Sequence, residues 1–250
     1  MYVPTMTDEE LLAAACPVIG SLGSAFYFVP ETIAVGEAHG LDRSKFYFLG
    51  RGGVLGDVDA AVVSAAWGYF NPAVVKRVWD SAREVMAPRA AAALYAECAA
   101  ELGRRRLQSV EGLGAFNAAA EAVIAAGAAQ ADSMPLFAGI AAEPRVDDAA
   151  GLAMQAIVVL REFRGSAHLL ALRAVGLPSK TAHFVARPGD GRLFGWGPDD
   201  APEIDDIHRA LHAEAEALTD RIVRPAFSVL DQSQREEFVS TLGHIAAALA

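Results

Sequence analysis

The sequence predicts a mainly helical protein built from two similar halves. Hydrophobic residues fill 53% of its 250 positions and charged residues 21%, which is enough apolar material for a substantial core. Alanine, the strongest helix former, is abundant, and few segments alternate with the two-residue period of a strand. A repeat with a constant offset of 136 residues pairs Gly40-Leu41 with Gly176-Leu177, Phe48 with Phe184, Arg51 with Arg187 and Gly53 with Gly189.

Helix signals in the first half begin close to the N-terminus. Thr7 and Glu10 have the spacing of a capping box, which starts a helix that Pro17 is expected to interrupt. Pro30 suits the first turn of a second helix. Gly40 ends this helix, because glycine readily adopts the left-handed conformation of a C-terminal cap.

The rest of the first half contains one ambiguous segment and three further helices. Residues 42–50 fit either a helix or a strand, and the glycines of 50–53 predict a turn rather than a phosphate-binding loop. A helix capped by Asp57 or Asp59 and running through Tyr69 follows. Asn71-Pro72 combines a strong N-cap with a first-turn proline, and an alanine-rich helix follows Pro88.

The second half repeats this order of elements. Turn residues at 187–191 separate the short runs 184–186 and 192–196, which predicts a small β-hairpin. The segment that follows has apolar residues at helical spacing and predicts one long amphipathic helix. Helices are predicted from Asp147-Asp148 to about 163, near 166–174, after Pro178, at about 202–224 and from about 233.

Each half therefore has the order helix, helix, short helix, hairpin or turn, longer helix, which is the order of a winged-helix domain. We predict a first winged-helix-like half at 1–110, a helical linker region at 111–146, and a second winged-helix-like half with long C-terminal helices at 147–250. Two such units in one chain imitate a dimer of a single-domain ancestor. The expected fold is an internal pseudo-dimer with small β-hairpin or wing elements, present as a monomer or a homodimer.

Five stretches of the chain resemble the signatures of a known family. They are Phe26-Tyr27-Phe28-Val29-Pro30-Glu31, Phe48-Leu49-Gly50-Arg51-Gly52-Gly53-Val54-Leu55-Gly56, Tyr69-Phe70-Asn71-Pro72, Leu160-Arg161-Glu162-Phe163-Arg164-Gly165-Ser166-Ala167-His168 and Leu218-Thr219-Asp220. Over nearly its whole length the chain resembles actinobacterial helix-turn-helix, MarR-like proteins, whose function is largely unassigned. The resemblance implies a winged-helix fold and a transcriptional regulator. The short interval after Leu177 leaves little room for a full recognition helix plus wing in the second half.

Charge and cysteine usage limit the classes of partner. The net charge of −10 opposes attraction to phosphate backbones, so DNA is an open but disfavoured partner. Cys16 and Cys98 have no CxxC spacing and indicate reduced thiols rather than a disulfide framework. We see no signal peptide and no stretch of about 18 uncharged apolar residues, and therefore expect a cytoplasmic protein without a membrane partner.

The strongest candidate site is a polar run in the second half. Arg161, Arg164 and His168 are three and four residues apart, so a helix would place them on one face. Gly165 between them would permit close approach of a ligand. Two guanidiniums and an imidazole suit a carboxylate or a phosphate. The alternative is that Glu162 and nearby acids pair with the arginines while His168 forms a hydrogen bond in the core.

The first half carries apolar or uncharged residues at the equivalent positions. Ala25, Phe28 and Thr32 stand where the second half has the two arginines and the histidine, so the repeated fold does not itself require these polar groups. Aromatic residues crowd this half, either as core or as the apolar wall of a ligand pocket. We expect Phe28, Tyr47 and Tyr69 to line that wall.

Two further sets of residues are candidate sites. Arg51 and Arg187 would lie near wing tips and could contact DNA phosphates. His208 and His212 are four residues apart, which is compatible with a metal ion, but the HExxH pattern is absent. A third ligand would have to come from His183 or an acid such as Glu216. We therefore predict no metal site and no cofactor.

The predicted function is a cytoplasmic small-molecule-binding protein of MarR-like ancestry. Its ligand is expected to be acidic with an apolar body, and transcriptional regulation is one role left open. The alternative is an enzyme that acts on an apolar, acidic small molecule with His168 as acid or base.

Overall fold

The computed structural model describes residues 5–250 and is mainly helical, as the sequence predicts. These residues form twelve α-helices and three short 3₁₀ turns, and no strand occurs among them. The helices are α1 (Asp8–Leu22), α2 (Pro30–Ala38), α3 (Arg43–Gly52), α4 (Ala60–Trp67), α5 (Pro72–Arg83), α6 (Pro88–Arg106), α7 (Leu113–Ala128), α8 (Pro135–Ala141), α9 (Ala149–Ala174), α10 (Ser179–Ala186), α11 (Asp206–Phe227) and α12 (Gln232–Leu249). The 3₁₀ turns are Gly53–Leu55, Gly191–Phe194 and Pro198–Asp200.

Helix α9 lies at the centre of the molecule. The Asp148 side chain caps its first turn by accepting a hydrogen bond of 2.8 Å from the amide of Gly151. The helix packs against α1, α6, α7, α8 and α11, so its middle is buried on nearly every face. One hydrophobic core extends from Leu11 to Ile245 and includes residues from all three predicted ranges of the chain.

The repeat of 136 residues coincides with a repeated local geometry. Helices α2 and α9 are both followed by a glycine in the left-handed conformation, Gly40 at φ 77° and Gly176 at φ 80°. In both turns the leucine after that glycine donates its amide proton to the carbonyl five residues back, at 2.9 Å. A four-residue turn then leads to a short helix, which is α3 in the first half and α10 in the second.

A second left-handed glycine follows each short helix. Gly56 has φ 83° after α3, and Gly195 has φ 79° after α10. Each donates its amide proton to the carbonyl three residues back, at the end of a 3₁₀ turn. The halves differ upstream of these turns. Residues 23–29 separate α1 from α2, whereas the corresponding residues of the second half lie inside the continuous helix α9.

Two helix breaks that the sequence predicts do not occur. Helix α1 continues through Pro17, because Cys16 and Ile19 on either side are packed into the core. Helix α9 runs without a break where two helices were expected near residues 163–166. Its buried side chains continue through Phe163 and Ala167, so packing favours one helix.

The glycines at 50–53 do not form the predicted turn. They belong to the end of α3 and the start of the 3₁₀ turn that follows. A Cβ atom on Gly50 would lie 2.6 Å from Cγ of Tyr95, and one on Gly53 would lie 2.0 Å from the carbonyl oxygen of Pro88. These glycines therefore allow α3 to pack closely against α6.

The prediction of a β-hairpin at 184–196 is wrong. Residues 184–186 end α10, and the 3₁₀ turn Gly191–Phe194 follows. The Asn71 amide donates to the Phe194 carbonyl at 2.9 Å, and Asn71 Nδ2 donates to the Gly195 carbonyl at 3.0 Å. Trp196 Nε1 donates to the Tyr69 carbonyl at 2.7 Å. Because these groups bond to the turn between α4 and α5, the two predicted strands do not pair with each other.

Three pairs of consecutive helices in the described chain have four-residue turns that contain a left-handed glycine. They are α2–α3, α4–α5 and α9–α10, and each is a helix–turn–helix arrangement. The second helices differ in exposure. Half of the residues of α3 and of α10 are buried, against three of the twelve residues of α5, which exposes Lys76 and Arg77.

Candidate functional site

A cavity of about 760 Å³ lies between the two predicted halves. Its walls come from α1, α3 and the end of α4 on one side, and from α9, α10 and α11 on the other. Seven of the eight residues chosen from the sequence line it, namely Tyr47, Arg51, Tyr69, Arg161, Arg164, His168 and Arg187. The structure therefore brings together side chains that lie far apart in the sequence.

Helix α9 supplies the polar wall. Arg161, Arg164 and His168 share one face, because residues three and four positions apart lie on neighbouring turns. This face is open at Gly165, where an added Cβ would meet no atom within 4 Å. At the N-terminal end of this face, the aliphatic part of Arg161 packs against Gly23. A Cβ atom on Gly23 would lie 2.6 Å from Arg161 Cδ, so this contact requires glycine.

The carboxylate of Glu162 joins α9 to the first half. The residue is 1% exposed, and Arg51 donates to it from Nε at 2.9 Å and from Nη2 at 2.8 Å. Arg161 Nη1 donates at 2.7 Å and the Tyr27 hydroxyl at 3.2 Å. Burial alone would raise the pKa of Glu162, but the charges of Arg51 and Arg161 outweigh it and lower this pKa to about 2. Glu162 is therefore ionised at neutral pH.

Arg164 is paired with helix α11. Its Nη2 donates to Glu216 Oε2 at 2.8 Å and to Asp220 Oδ1 at 3.1 Å. Its Nε is buried and has no hydrogen-bond partner among the described residues. The ion pairs that the sequence offers as the alternative for Arg164 thus form, and its Nε remains unpaired and enclosed by protein.

The neighbours of His168 define its tautomer. The Thr219 hydroxyl donates to the Ala215 carbonyl at 2.7 Å, and Thr219 Oγ1 lies 2.8 Å from His168 Nδ1. When the hydroxyl proton lies on the Ala215 carbonyl, Nδ1 of His168 is the donor and Nε2 carries the lone pair. Burial lowers the pKa of His168, and the charge of Glu216 offsets this only in part.

Aromatic rings of the first half form the opposite wall. The Tyr47 ring centroid lies 5.4 Å from that of Trp67 and 6.2 Å from that of Phe70. Phe70 also packs against Phe194 of the second half, with ring centroids 4.5 Å apart. Burial raises the pKa of the Tyr69 hydroxyl, which is therefore neutral at pH 7.

Phe28 does not line this wall, in contrast to the prediction. Its side chain is 41% exposed, and the Arg43 guanidinium lies 4.2 Å from its ring centroid. The reason is the local backbone: residues 23–29 form turns where the second half is helical, so Phe28 does not take the direction of Arg164.

Helix α10 contributes two more lining residues. His183 is 4% exposed, and its Nε2 has no hydrogen-bond partner among residues 5–250. Arg187 is exposed at the end of α10 and forms no ion pair within that range. The repeat offset relates His183 to Tyr47 and Arg187 to Arg51, so equivalent positions of α3 and α10 line the cavity. This offset is the signal that could have added His183 to the candidates.

The predicted wing-tip positions of the two arginines are wrong, because no β-hairpin forms in the described part of the chain. Arg51 lies at the end of α3 with its side chain 12% exposed and bound to Glu162. It is therefore not available to a DNA phosphate. Arg187 lines the cavity.

The histidine pair considered for a metal ion separates in the structure. His208 Nδ1 lies 2.6 Å from Asp205 Oδ1 at the start of α11. His212 instead approaches His168, with ring centroids 5.8 Å apart. His168, His212 and Glu216 have potential ligand atoms within 4.8 Å of one another. The sequence offered His212 and Glu216 as possible ligands, but not His168, because its approach depends on how α9 packs against α11.

Cys16 of α1 also lines the cavity. Burial raises the pKa of its thiol to about 11, so the thiol is protonated at neutral pH. This side of the cavity therefore presents a small apolar group and not a reactive nucleophile.

Comparisons with known proteins concern almost the whole chain. A family model described as a helix-turn-helix family matches residues 13–250. No curated protein and no solved structure matches the chain. Within residues 5–250, no helix is both long enough and apolar enough to cross a membrane.

Proposed function

The chain belongs to a helix-turn-helix family, and from that premise we propose that it binds an acidic small molecule with an apolar body. We assign the binding site to the cavity between the halves and the ancestry of the fold to MarR-like, winged-helix proteins. The observation that carries the proposal is a cavity of about 760 Å³ with arginines on one wall and aromatic rings on the other. Small-molecule sites commonly enclose about 300–1,000 Å³ and combine an apolar lining with a few polar groups.

The charge of the cavity wall supports an anionic ligand. Four arginines line the cavity, against the two carboxylates of Glu162 and Glu216. Asp220, which does not line it, also pairs with Arg164 and leaves an excess of one positive charge. In a chain with a net charge of −10, this cavity is a local exception that would attract a carboxylate or phosphate.

We assign the anion to Arg187, which is exposed and lines the cavity. The guanidiniums of Arg51 and Arg161 are already bound by Glu162. Arg187 has no ion-pair partner within residues 5–250, and the Nε of Arg164 has no acceptor there. The guanidinium of Arg187 can therefore donate to a ligand carboxylate or phosphate without breaking an existing ion pair.

Two other lining residues carry unpaired polar atoms that could orient the body of the ligand. They are Trp67 Nε1 and His183 Nε2, both buried and without a partner in the described chain. Buried polar groups are normally hydrogen-bonded, so three such atoms around one cavity favour an occupant with polar groups of its own.

The capping geometry shared by α2–α3 and α9–α10 supports an internal duplication. We infer that the halves form a pseudo-dimer, with the ligand at the interface between them. Both walls of the site then come from one chain, and a second copy is not needed for binding. The proposal is compatible with a monomer and with a homodimer.

The turn of the α4–α5 pair connects this cavity to a possible DNA surface. Tyr69 and Phe70 of that turn line the cavity, and α5 exposes Lys76 and Arg77. We propose α5 as the DNA-contacting helix, since a smaller fraction of its residues is buried than in α3 or α10. A ligand that favours one position of the turn would shift the population of α5 orientations, which is how a regulator could respond.

Native mass spectrometry of the full chain tests the ligand site. We expect an organic acid to co-purify and to be released intact on denaturation. Gly165→Leu should abolish its retention, because the new side chain would extend from the open face of α9 into the cavity. The matched control is Gly243→Leu, at an exposed helical glycine of α12 that also has open space around it. Equal retention by both variants would exclude this cavity.

DNA binding is tested by fluorescence anisotropy with duplex DNA at several salt concentrations. A role for α5 predicts sub-micromolar, salt-dependent binding that Lys76→Glu and Arg77→Glu weaken. Arg173→Glu, at an exposed position at the end of α9, serves as the charge-matched control. Binding that all three changes weaken equally would contradict a role for α5.

A second candidate function is an enzyme that acts on an apolar, acidic small molecule with His168 as acid or base. It is favoured by the hydrogen bond to Thr219, which orients His168 Nε2 as the basic nitrogen beside the cavity. The two functions separate when the co-purified molecule is added back to the protein. A binder returns it unchanged, whereas an enzyme converts it and loses turnover in a folded His168→Gln variant.

A further inference from the structure

Two imidazoles and one carboxylate converge between α9 and α11, in addition to the arginines of the proposed anion site. His168 Nε2 lies 3.6 Å and His212 Nε2 lies 4.0 Å from Glu216 Oε1. The three donor atoms lie within 4.8 Å of one another. We propose that His168, His212 and Glu216 bind a divalent metal ion of the zinc type. This inference goes beyond the proposed small-molecule function and does not depend on it.

The lone pairs of this group are oriented by hydrogen bonds around it. The hydrogen bond of Nδ1 of His168 to Thr219 Oγ1 turns Nε2 towards Glu216, and Nε2 is free to act as a ligand in the tautomer in which Nδ1 donates. The other oxygen of Glu216 accepts from Arg164 at 2.8 Å, which leaves Oε1 on the side of the histidines. Metal-binding histidines characteristically donate their second ring nitrogen to a fixed oxygen in this way.

The spacing of the three residues fits one ion. His212 and Glu216 are four residues apart on α11, so their side chains share a face of that helix. The distances of 3.6 Å and 4.0 Å exceed those of a charge-assisted hydrogen bond, which are about 2.7–2.9 Å. Donors bound to one ion at about 2.0–2.2 Å lie roughly 3.3 Å apart. Small side-chain rotations would bring the three donor atoms to that separation.

The donor set selects the class of metal. Two neutral imidazoles and one carboxylate suit zinc and neighbouring transition metals better than calcium or magnesium, which prefer oxygen ligands. Three protein ligands leave at least one coordination position for water or another donor. Because His168 and Glu216 line the cavity, that position would be accessible from it.

Metal titration tests the site without any organic ligand. The full chain is stripped with a chelator and titrated with zinc chloride in a calorimeter, and with cobalt chloride under visible absorption. We expect one ion per chain and cobalt bands typical of nitrogen and oxygen ligands. His212→Ala and His168→Ala should each weaken zinc binding by at least about 10-fold.

The matched control is His208→Ala, which removes a histidine from the same helix but outside the group. It should bind zinc as the unmodified chain does. Thr219→Val keeps all three ligands and removes the oxygen that positions His168, so it should weaken binding by about 10–100-fold. Circular dichroism verifies that each variant is folded. If His212→Ala is not folded, His212→Gln is used in its place.

Three results would overturn the metal site. The unmodified chain could bind less than one zinc ion, the variants of His168 and His212 could bind as tightly as the unmodified chain, or His208→Ala could weaken binding as much as His212→Ala. Failure of zinc binding leaves retention of an organic acid unaffected. The metal site and the proposed ligand function can therefore fail separately.

Discussion

Helices α3 and α10 have equivalent positions in the two halves, yet their polar side chains have different partners. Arg51 at the end of α3 donates two hydrogen bonds to Glu162. Arg187, at the same repeat position after α10, forms no ion pair within residues 5–250. Tyr47 packs in the aromatic wall, whereas its counterpart His183 has an unpaired Nε2.

One helix–turn–helix geometry can therefore serve two purposes. Where α9 supplies a buried carboxylate, the arginine joins the two halves and is unavailable to a ligand. Where no carboxylate is present, the equivalent arginine stays accessible from the cavity. Two similar helix–turn–helix segments in one chain can give equivalent residues different partners, whereas a symmetric dimer of identical subunits cannot.

The largest expected effect follows from removal of the shared carboxylate. Glu162→Ala leaves Arg51 and Arg161 without their buried partner and should lower the free energy of unfolding by about 3–5 kcal/mol. Urea unfolding measures this change. The control is Glu121→Ala, which breaks a more exposed ion pair with Arg145 and should cost less than about 1 kcal/mol. Equal losses would show that Glu162 does not join the halves.

The stability of the fold at acid pH should depend on the ionisation of Glu162. The pKa of folded Glu162 is about 2, below its ordinary value of 4.5, so its stabilising contribution is complete above pH 4.5. This contribution should be lost as the pH falls from 4.5 towards 2. Unfolding midpoints measured over this range should decline more steeply for the unmodified chain than for Glu162→Gln. Parallel declines would contradict an ionised Glu162 in the folded state.

Substitution of Arg51 should affect the stability of the fold, whereas substitution of Arg187 should affect ligand retention. Arg51→Ala should destabilise the fold by about 2–3 kcal/mol, less than Glu162→Ala because Arg161 still pairs with the carboxylate. Arg187→Ala should change stability by less than about 0.5 kcal/mol. It should instead weaken retention of an acidic ligand by about 1–3 kcal/mol. Urea unfolding measures the stability of both variants, and native mass spectrometry measures their ligand retention. If the two variants behaved alike in both measurements, the proposed difference between Arg51 and Arg187 would be wrong.

The smallest effect should be the same in both halves. Gly40→Ala and Gly176→Ala each place a Cβ on a residue with positive φ and should each cost about 1–2 kcal/mol. Neither new Cβ would meet an atom closer than 3.4 Å, so backbone strain is the common cause. Thermal unfolding of the two variants tests the equivalence of the caps. Losses that differ by more than about 1 kcal/mol would weaken the inference of a duplication.

The helices were largely predictable because their signals are local. The capping box of Thr7 and Glu10, the N-cap Asn71 and the N-cap Asp148 all act where the sequence predicts. The repeat offset also predicted that Gly40 and Gly176 would be equivalent. Residues three and four apart on a helix were enough to place Arg161, Arg164 and His168 on one face.

The remaining features depend on contacts between distant segments. The segment 184–196, predicted as two strands, forms hydrogen bonds with residues 69–71. The glycines at 50–53 are required by the close packing against α6. Local composition reveals neither of these contacts. The partner of Arg51 is 111 residues away. The approach of His212 and Glu216 to His168 likewise depends on the packing of α11 against α9.

The bonds between the α4–α5 turn and residues 194–196 have a consequence for a cleaved chain. A protease that cuts the partly exposed stretch 142–148 breaks only the covalent connection between α8 and α9. Asn71 still holds the carbonyls of Phe194 and Gly195, and Arg51 still holds Glu162. The two fragments should therefore elute together as one particle and part only in denaturant. Two separately produced polypeptides, divided at that stretch, should likewise reassemble into it.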